Sequence, residues 1–151
     1  MRRTDRERDA AFALEVLRDC EYATFATVNP DGTPYCIPVS PVVIDNSIYF
    51  HCATEGQKLD NIKKNSSVCL SGVHYTNLLP EKFTTEYESA VVFGKCEIVL
   101  DETEKIEALR AIGEKYAKSN MDYFDAQIAK YLNVTNICKI IIEKITSKAN
   151  M

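Results

Sequence analysis

Apolar positions first recur at helical spacing. Ala10, Leu14 and Leu17, with Ala13 beside them, predict a helix ending near Cys20. Thr4 followed by Glu7 has the spacing of a capping box and places the helix start there. From Tyr22 the period shortens to two. Tyr22–Val28 is rich in aromatic and β-branched residues, and Asn29-Pro30-Asp31-Gly32 supplies a turn. On the return, Tyr35, Ile37 and Val39 point one way and Cys36, Pro38 and Ser40 the other. Prolines at 34, 38 and 41 cannot donate to a ladder, so this strand is an edge, is bulged, or leaves a face for a ligand.

The remaining pattern continues the alternation, with two helical interludes. Ser47–Cys52 predicts a strand, and Gln57–Asn65 a short helix with Leu59 and Ile62 inward. Ser67–Val73 reads as a strand, residues 74–82 as a loop, and Phe83–Leu100 as a long β segment with a bulge at Gly94. Asp101 with Glu104 starts a helix through Ile106, Leu109, Ile112 and Tyr116, and Met121–Leu132 predicts another. Ile137–Ile145 closes the fold, with residues 1–4 and 147–151 expected to fray. Six or seven strands joined mostly by tight turns predict a mainly β, antiparallel barrel or sandwich with peripheral helices, in one domain over 1–151.

Composition narrows the class. The 151 residues are 46% hydrophobic and 26% charged, with a net charge of -4. A chain of ~150 residues can bury a core without disulfides or metal. No apolar run approaches the ~18 residues that would span a bilayer, and the charged start lacks the apolar region of a signal peptide. Both point to the cytoplasm. The acidic balance argues against nucleic acid. The six cysteines, Cys20, Cys36, Cys52, Cys69, Cys96 and Cys138, include no C-x-x-C pair and read as reduced thiols, mostly buried. Neither they nor the two histidines, His51 and His74, form a metal-ligand pattern.

The stretch from Tyr49 to Asp60 carries the most chemistry. A strand ends in His51, a turn with Gly56 follows, and Gln57-Lys58 opens a helix. A helix start presents unpaired N–H groups and partial positive charge, which suit a phosphate. Lys58 in that first turn opposes the helix dipole unless an anion sits there. A solvated face shared with Lys63 and Lys64 is the competing reading. His51 is an imidazole that could transfer a proton or contact a cofactor, against a plain hydrogen-bonding role.

Taken in order, Met1–Arg6, Ile37-Pro38-Val39, Tyr49–Ala53 with Gly56–Asp60, and Tyr87–Lys95 resemble the nitroimidazole-resistance branch of the pyridoxamine 5'-phosphate oxidase-like flavoproteins. The resemblance implies an FMN-binding split β-barrel that works as a homodimer, with flavin at the interface. It implies that Gly56, Gln57 and Lys58 hold the FMN phosphate, that Pro38, Val39 and Ser40 run beside the flavin ring, and that His51 and Ser89 face the cofactor. His51 would be the catalytic proton donor, and Cys36 and Cys52 would flank the site. The implied reaction passes electrons from a nicotinamide donor through FMN to a nitroaromatic or another small acceptor. A flavin- or haem-binding carrier or sensor without turnover, with His51 as a possible axial ligand, is the alternative. The absence of tryptophan, which the vitamin oxidase uses in its substrate site, argues against pyridoxamine phosphate oxidation.

Overall fold

In a computed structural model covering residues 1–151, the chain runs β1 (Glu7–Arg8), α1 (Ala10–Asp19), β2 (Ala23–Val28), β3 (Pro34–Val39), β4 (Val42–Ile44) and β5 (Ser47–Cys52). It continues through α2 (Gln57–Lys64), β6 (Ser67–Leu79), β7 (Thr84–Ile98), α3 (Glu102–Tyr116), α4 (Phe124–Tyr131) and β8 (Asn136–Asn150). All pairings are antiparallel, in the order β3-β2-β6-β7-β8-β5-β4, with β1 added beside β8. The sheet rolls around its core without closing, which makes it a split barrel. No helix is long and apolar enough to cross a membrane.

Local chemistry sets the register. At the β2–β3 turn, Gly32 takes φ 85, and the Asp31 carboxylate accepts from the N–H and hydroxyl of Thr33 at 3.0 and 2.6 Å. β3 is an edge strand, a place that tolerates Pro34 and Pro38 because no further strand needs their missing N–H groups. Between Phe93 and Gly94 the β7–β8 register shifts, as the glycine suggested. Any Cβ at Gly94 would collide with the carbonyl of Ile141.

The inward residues of β2, β5, β6, β7 and β8 meet α1 and α2 in one core, where Phe25 and Phe50 lie with ring centroids 4.8 Å apart. A smaller core of Val42, Tyr49, Val99, Ala108, Ile112 and Ile137 seats α3 on the outside of β4 and β5.

Four expectations need correction. The capping box at Thr4 does not start α1: Thr4–Arg6 is a 3₁₀ turn, and Asp9 caps α1 by accepting from Phe12 N–H at 2.9 Å. Residues 147–150 do not fray, because all four pair with β7, Ser147 and Lys148 also pair with β1, and Ser147 and Ala149 turn inward. Residues 74–79 extend β6 rather than forming a loop; an irregularity between Val73 and Tyr75 breaks the alternation that would have revealed them. The stretch from Met121 splits into a 3₁₀ turn over Lys118–Tyr123 and the short α4.

Candidate functional site

Helix α2 begins differently from α1 and α3. Those two are capped by Asp9 and Asp101, whereas no side chain caps α2. Its first internal bonds run from Leu59 and Asp60 N–H to the Gly56 carbonyl at 3.1 Å, so the N–H groups of Gln57 and Lys58 need a partner from outside. Gly56 takes φ 141, which a side chain would strain, and open space lies where its Cβ would be. Lys58 is half-buried and joins none of the four ion pairs; Lys63 and Lys64 are exposed in the last turn.

The orientation of α2 is set by a residue the sequence reading missed. Asn61, 1% exposed, donates through Nδ2 to Thr27 Oγ1 at 3.0 Å and Asn29 Oδ1 at 2.9 Å. Gln57 Nε2 adds a bond to the same Asn29 oxygen at 2.8 Å. These bonds tie the start of α2 to the β2–β3 hairpin, and leave Gln57 less free than Lys58 to meet an anion. The only signal in the sequence was a polar residue on the apolar side of a short helix, beside Ile62.

The other expected residues lie elsewhere. Pro38 opposes Thr24 on the outer face of the sheet, Val39 packs its side chain toward the core, and Ser40 sits beside the α3 residues Lys115 and Tyr116. Lys115 Nζ and Tyr116 Oη donate to the Pro41 carbonyl at 2.8 and 3.1 Å, fixing the bend after Ser40. Ser89 opposes Val73 and Lys148, on the same outer face as Pro38 and roughly three strand spacings (~14 Å) across from it. His51 pairs with Ile137, at the opposite end of β8 from the Lys148 that pairs with Ser89. At ~3.3 Å per residue these two points are roughly 35 Å apart along the strand. Within one chain the expected residues therefore form two groups, His51 with Gly56–Lys58 at one end and Pro38–Ser40 with Ser89 at the other.

A family model described as pyridoxamine 5'-phosphate oxidase matches residues 9–149, nearly the whole chain. The chain belongs to the pyridoxamine 5'-phosphate oxidase family. Among solved structures it is similar to a candidate 5-nitroimidazole antibiotic resistance protein from Bacteroides thetaiotaomicron, at 23% identity, 93% coverage of this chain, 84% of the other, and TM-score 0.77. The flavocytochrome Anf3 from Azotobacter vinelandii matches at 18% identity, with 100% and 72% coverage and TM-score 0.85. A FAD and haem binding protein from Mycobacterium smegmatis matches at 18% identity, with 96% and 73% coverage and TM-score 0.82. No curated protein matches. At these identities the structural likeness concerns the fold.

The thiols of this family member divide by burial. Cys20, Cys52, Cys96 and Cys138 are buried, Cys69 is half-buried, and Cys36 is exposed on the edge strand. Cys52 and Cys138 lie Sγ to Sγ at 3.8 Å; that contact and burial push the Cys52 thiol above its ordinary range, although the Lys58 charge pulls the other way. Cys52 thus points into the barrel next to α2 and serves as packing. All six cysteines are free, and no group of side chains is arranged to hold a metal.

Proposed function

We propose that the chain is an FMN-dependent reductase that works in the cytoplasm as a homodimer, taking electrons from a nicotinamide donor and passing them to a nitroaromatic or another small acceptor. The observation that carries this reading is the start of α2. Two N–H groups without internal partners, a glycine conformation that leaves the approach open, and an ammonium without an acidic partner make a donor set suited to a phosphate monoester. The residues present therefore fit FMN at its phosphate. FMN bound there would supply the redox chemistry between nicotinamide and acceptor.

The protein's own part follows from its groups. The Gln57 and Lys58 N–H groups orient the phosphate, and the Lys58 ammonium balances its charge. Pro38 and Ser89 lie on a sheet face that no element of this chain covers, together with Val73 and Phe93, which are 47% and 45% exposed. A two-fold partner laid across that face would cover its exposed apolar side chains, as a homodimer requires. His51, exposed at the end of β5, would hold or give a proton through its imidazole. The alternative, a carrier without turnover, shares the flavin site and differs only in the fate of the electrons.

Fluorescence titration of FMN with purified protein tests the cofactor, and stopped-flow bleaching of bound flavin by NADH or NADPH tests the reaction. Binding with donor-driven bleaching and reoxidation by a nitroaromatic is expected. Binding without bleaching would leave the carrier reading, and no binding would remove both.

A further inference from the structure

Between Gly72 and Ala90 the hairpin of β6 and β7 leaves the barrel as an arm. The two strands stay paired as far as Leu79 with Thr84, and the Pro80–Lys82 turn joins them. No residue from Val73 through Ser89 is buried. The tip is apolar: Leu78 is 73% exposed and Phe83 98%, and Phe83 takes a left-handed φ of 49, uncommon for a bulky side chain. Polar contacts inside the arm are few, with Tyr75 Oη and Asn77 Nδ2 donating to Glu86 Oε2 at 3.3 and 3.0 Å. A two-stranded hairpin that buries nothing is marginal in water. Regular pairing out to the tip therefore needs cover from outside the chain.

Alternation along β7 gives the side from which that cover comes. Ser89, Tyr87 and Thr85 continue the outward series of Phe93 and Val91, and Leu78 opposes Thr85. One strip thus runs from Phe93 past Val73 to Leu78, roughly 26 Å along β7, with Phe83 at its end. Charge narrows the occupant. The arm holds Glu81, Glu86 and Glu88 against a single lysine, Lys82, and no arginine, which disfavours an anionic membrane. At its root lie Arg2, Arg3, Arg6 and Arg8 against Asp5 and Glu7. Arg6 Nη1 donates to Tyr87 Oη at 3.5 Å, and β1 pairs with the Lys148 that opposes Ser89. Two such strips packed antiparallel about a two-fold axis set the acidic arm of each copy against the basic root of the other.

We propose that the β6–β7 arm is a clasp that lies along a second copy of this chain, buries Leu78 and Phe83 there, and owes its extended pairing to that contact. The inference rests on the homodimer reading above and names the element that secures the pair.

Sedimentation velocity of the full chain over a concentration series, paired with hydrogen exchange, tests it. Wild type should dimerise, and the amides of 74–79 and 84–88 should lose protection on dilution to monomer. Leu78→Asp and Phe83→Asp should each weaken the dimer about 100-fold, since one buried apolar side chain is worth at least tenfold and the two-fold axis counts it twice. Phe83→Gly should weaken it comparably while relaxing the left-handed backbone, so that misfolding cannot be the cause. Dissociation by Phe93→Asp with indifference to Leu78→Asp and Phe83→Asp would keep the homodimer and overturn the clasp. Arm amides that exchange alike in monomer and dimer would overturn it too. A wild type monomeric at every concentration would remove the homodimer reading itself; flotation of that monomer with phosphatidylcholine vesicles, lost in Phe83→Asp, would give the tip to a membrane instead.

Discussion

Replacing Asn61 with Ala should detach α2 from the β2–β3 hairpin. The Asn61 amide is 1% exposed and makes two hydrogen bonds, to a Thr27 hydroxyl in a residue 2% exposed and to Asn29. Each bond contributes about 0.5–1.5 kcal/mol net, and the Thr27 hydroxyl left behind is buried without its donor. Asn29 keeps its bond from Gln57, so the loss on that side is smaller. Together the expected destabilisation is about 2–3 kcal/mol, which for a chain of this size lowers the melting midpoint by roughly 5–10 °C. Urea unfolding followed by circular dichroism measures it. Combining Asn61→Ala with Thr27→Val separates the shared bond from the rest, and the pair should couple by about 0.5–1.5 kcal/mol. A single-variant loss below about 0.5 kcal/mol, or strict additivity with Thr27→Val, would refute the anchoring role.

Other consequences are independent of the first. Gly94→Ala should cost more than about 4 kcal/mol or prevent folding, because its Cβ meets the Ile141 backbone; a normal urea midpoint would contradict the bulge geometry. The Tyr116 hydroxyl is pushed up to about 12, chiefly by burial, so its contribution is present below about pH 10 and is lost as pH rises through about 12. Because Tyr116 is 38% exposed the loss should be only on the order of 1 kcal/mol, seen as a steeper alkaline fall in wild type than in Tyr116→Phe; parallel curves would contradict it. Of the six thiols, Cys36 should react with Ellman's reagent first in native protein, and its loss in Cys36→Ser should remove the fast phase.

Much of the fold was legible because its signals are local. The Asn29–Gly32 turn, the prolines of β3, the bulge at Gly94 and the Asp101 cap each act within a few residues, and each is where the pattern put it. The misreadings came from long-range partners. Glu7 and Arg8 are held extended by Lys148 and Ser147, which no local pattern at Thr4 discloses, and pairing with β7 keeps the small residues Ser147 and Ala149 inside. The 74–79 extension of β6 is a strand because β7 lies beside it through Thr84. The candidate site was legible in part for the same reason. Gly56, Gln57 and Lys58 are neighbours in sequence and at the start of α2, but Ser89 and His51 belong to opposite ends of the sheet. The role of Asn61 depends on tertiary packing, and its one local sign is a polar residue beside Ile62 on the apolar side of α2.

The central claim is that the start of α2 binds the phosphate of a flavin. Titrating FMN into wild-type protein and Lys58→Ala, with fluorescence quenching as the readout, tests it most directly. Saturable binding weakened roughly 10- to 100-fold by the substitution is expected for the loss of one charge-assisted contact. Equal affinity in the two proteins would move the phosphate elsewhere, and no binding to wild type would contradict the account.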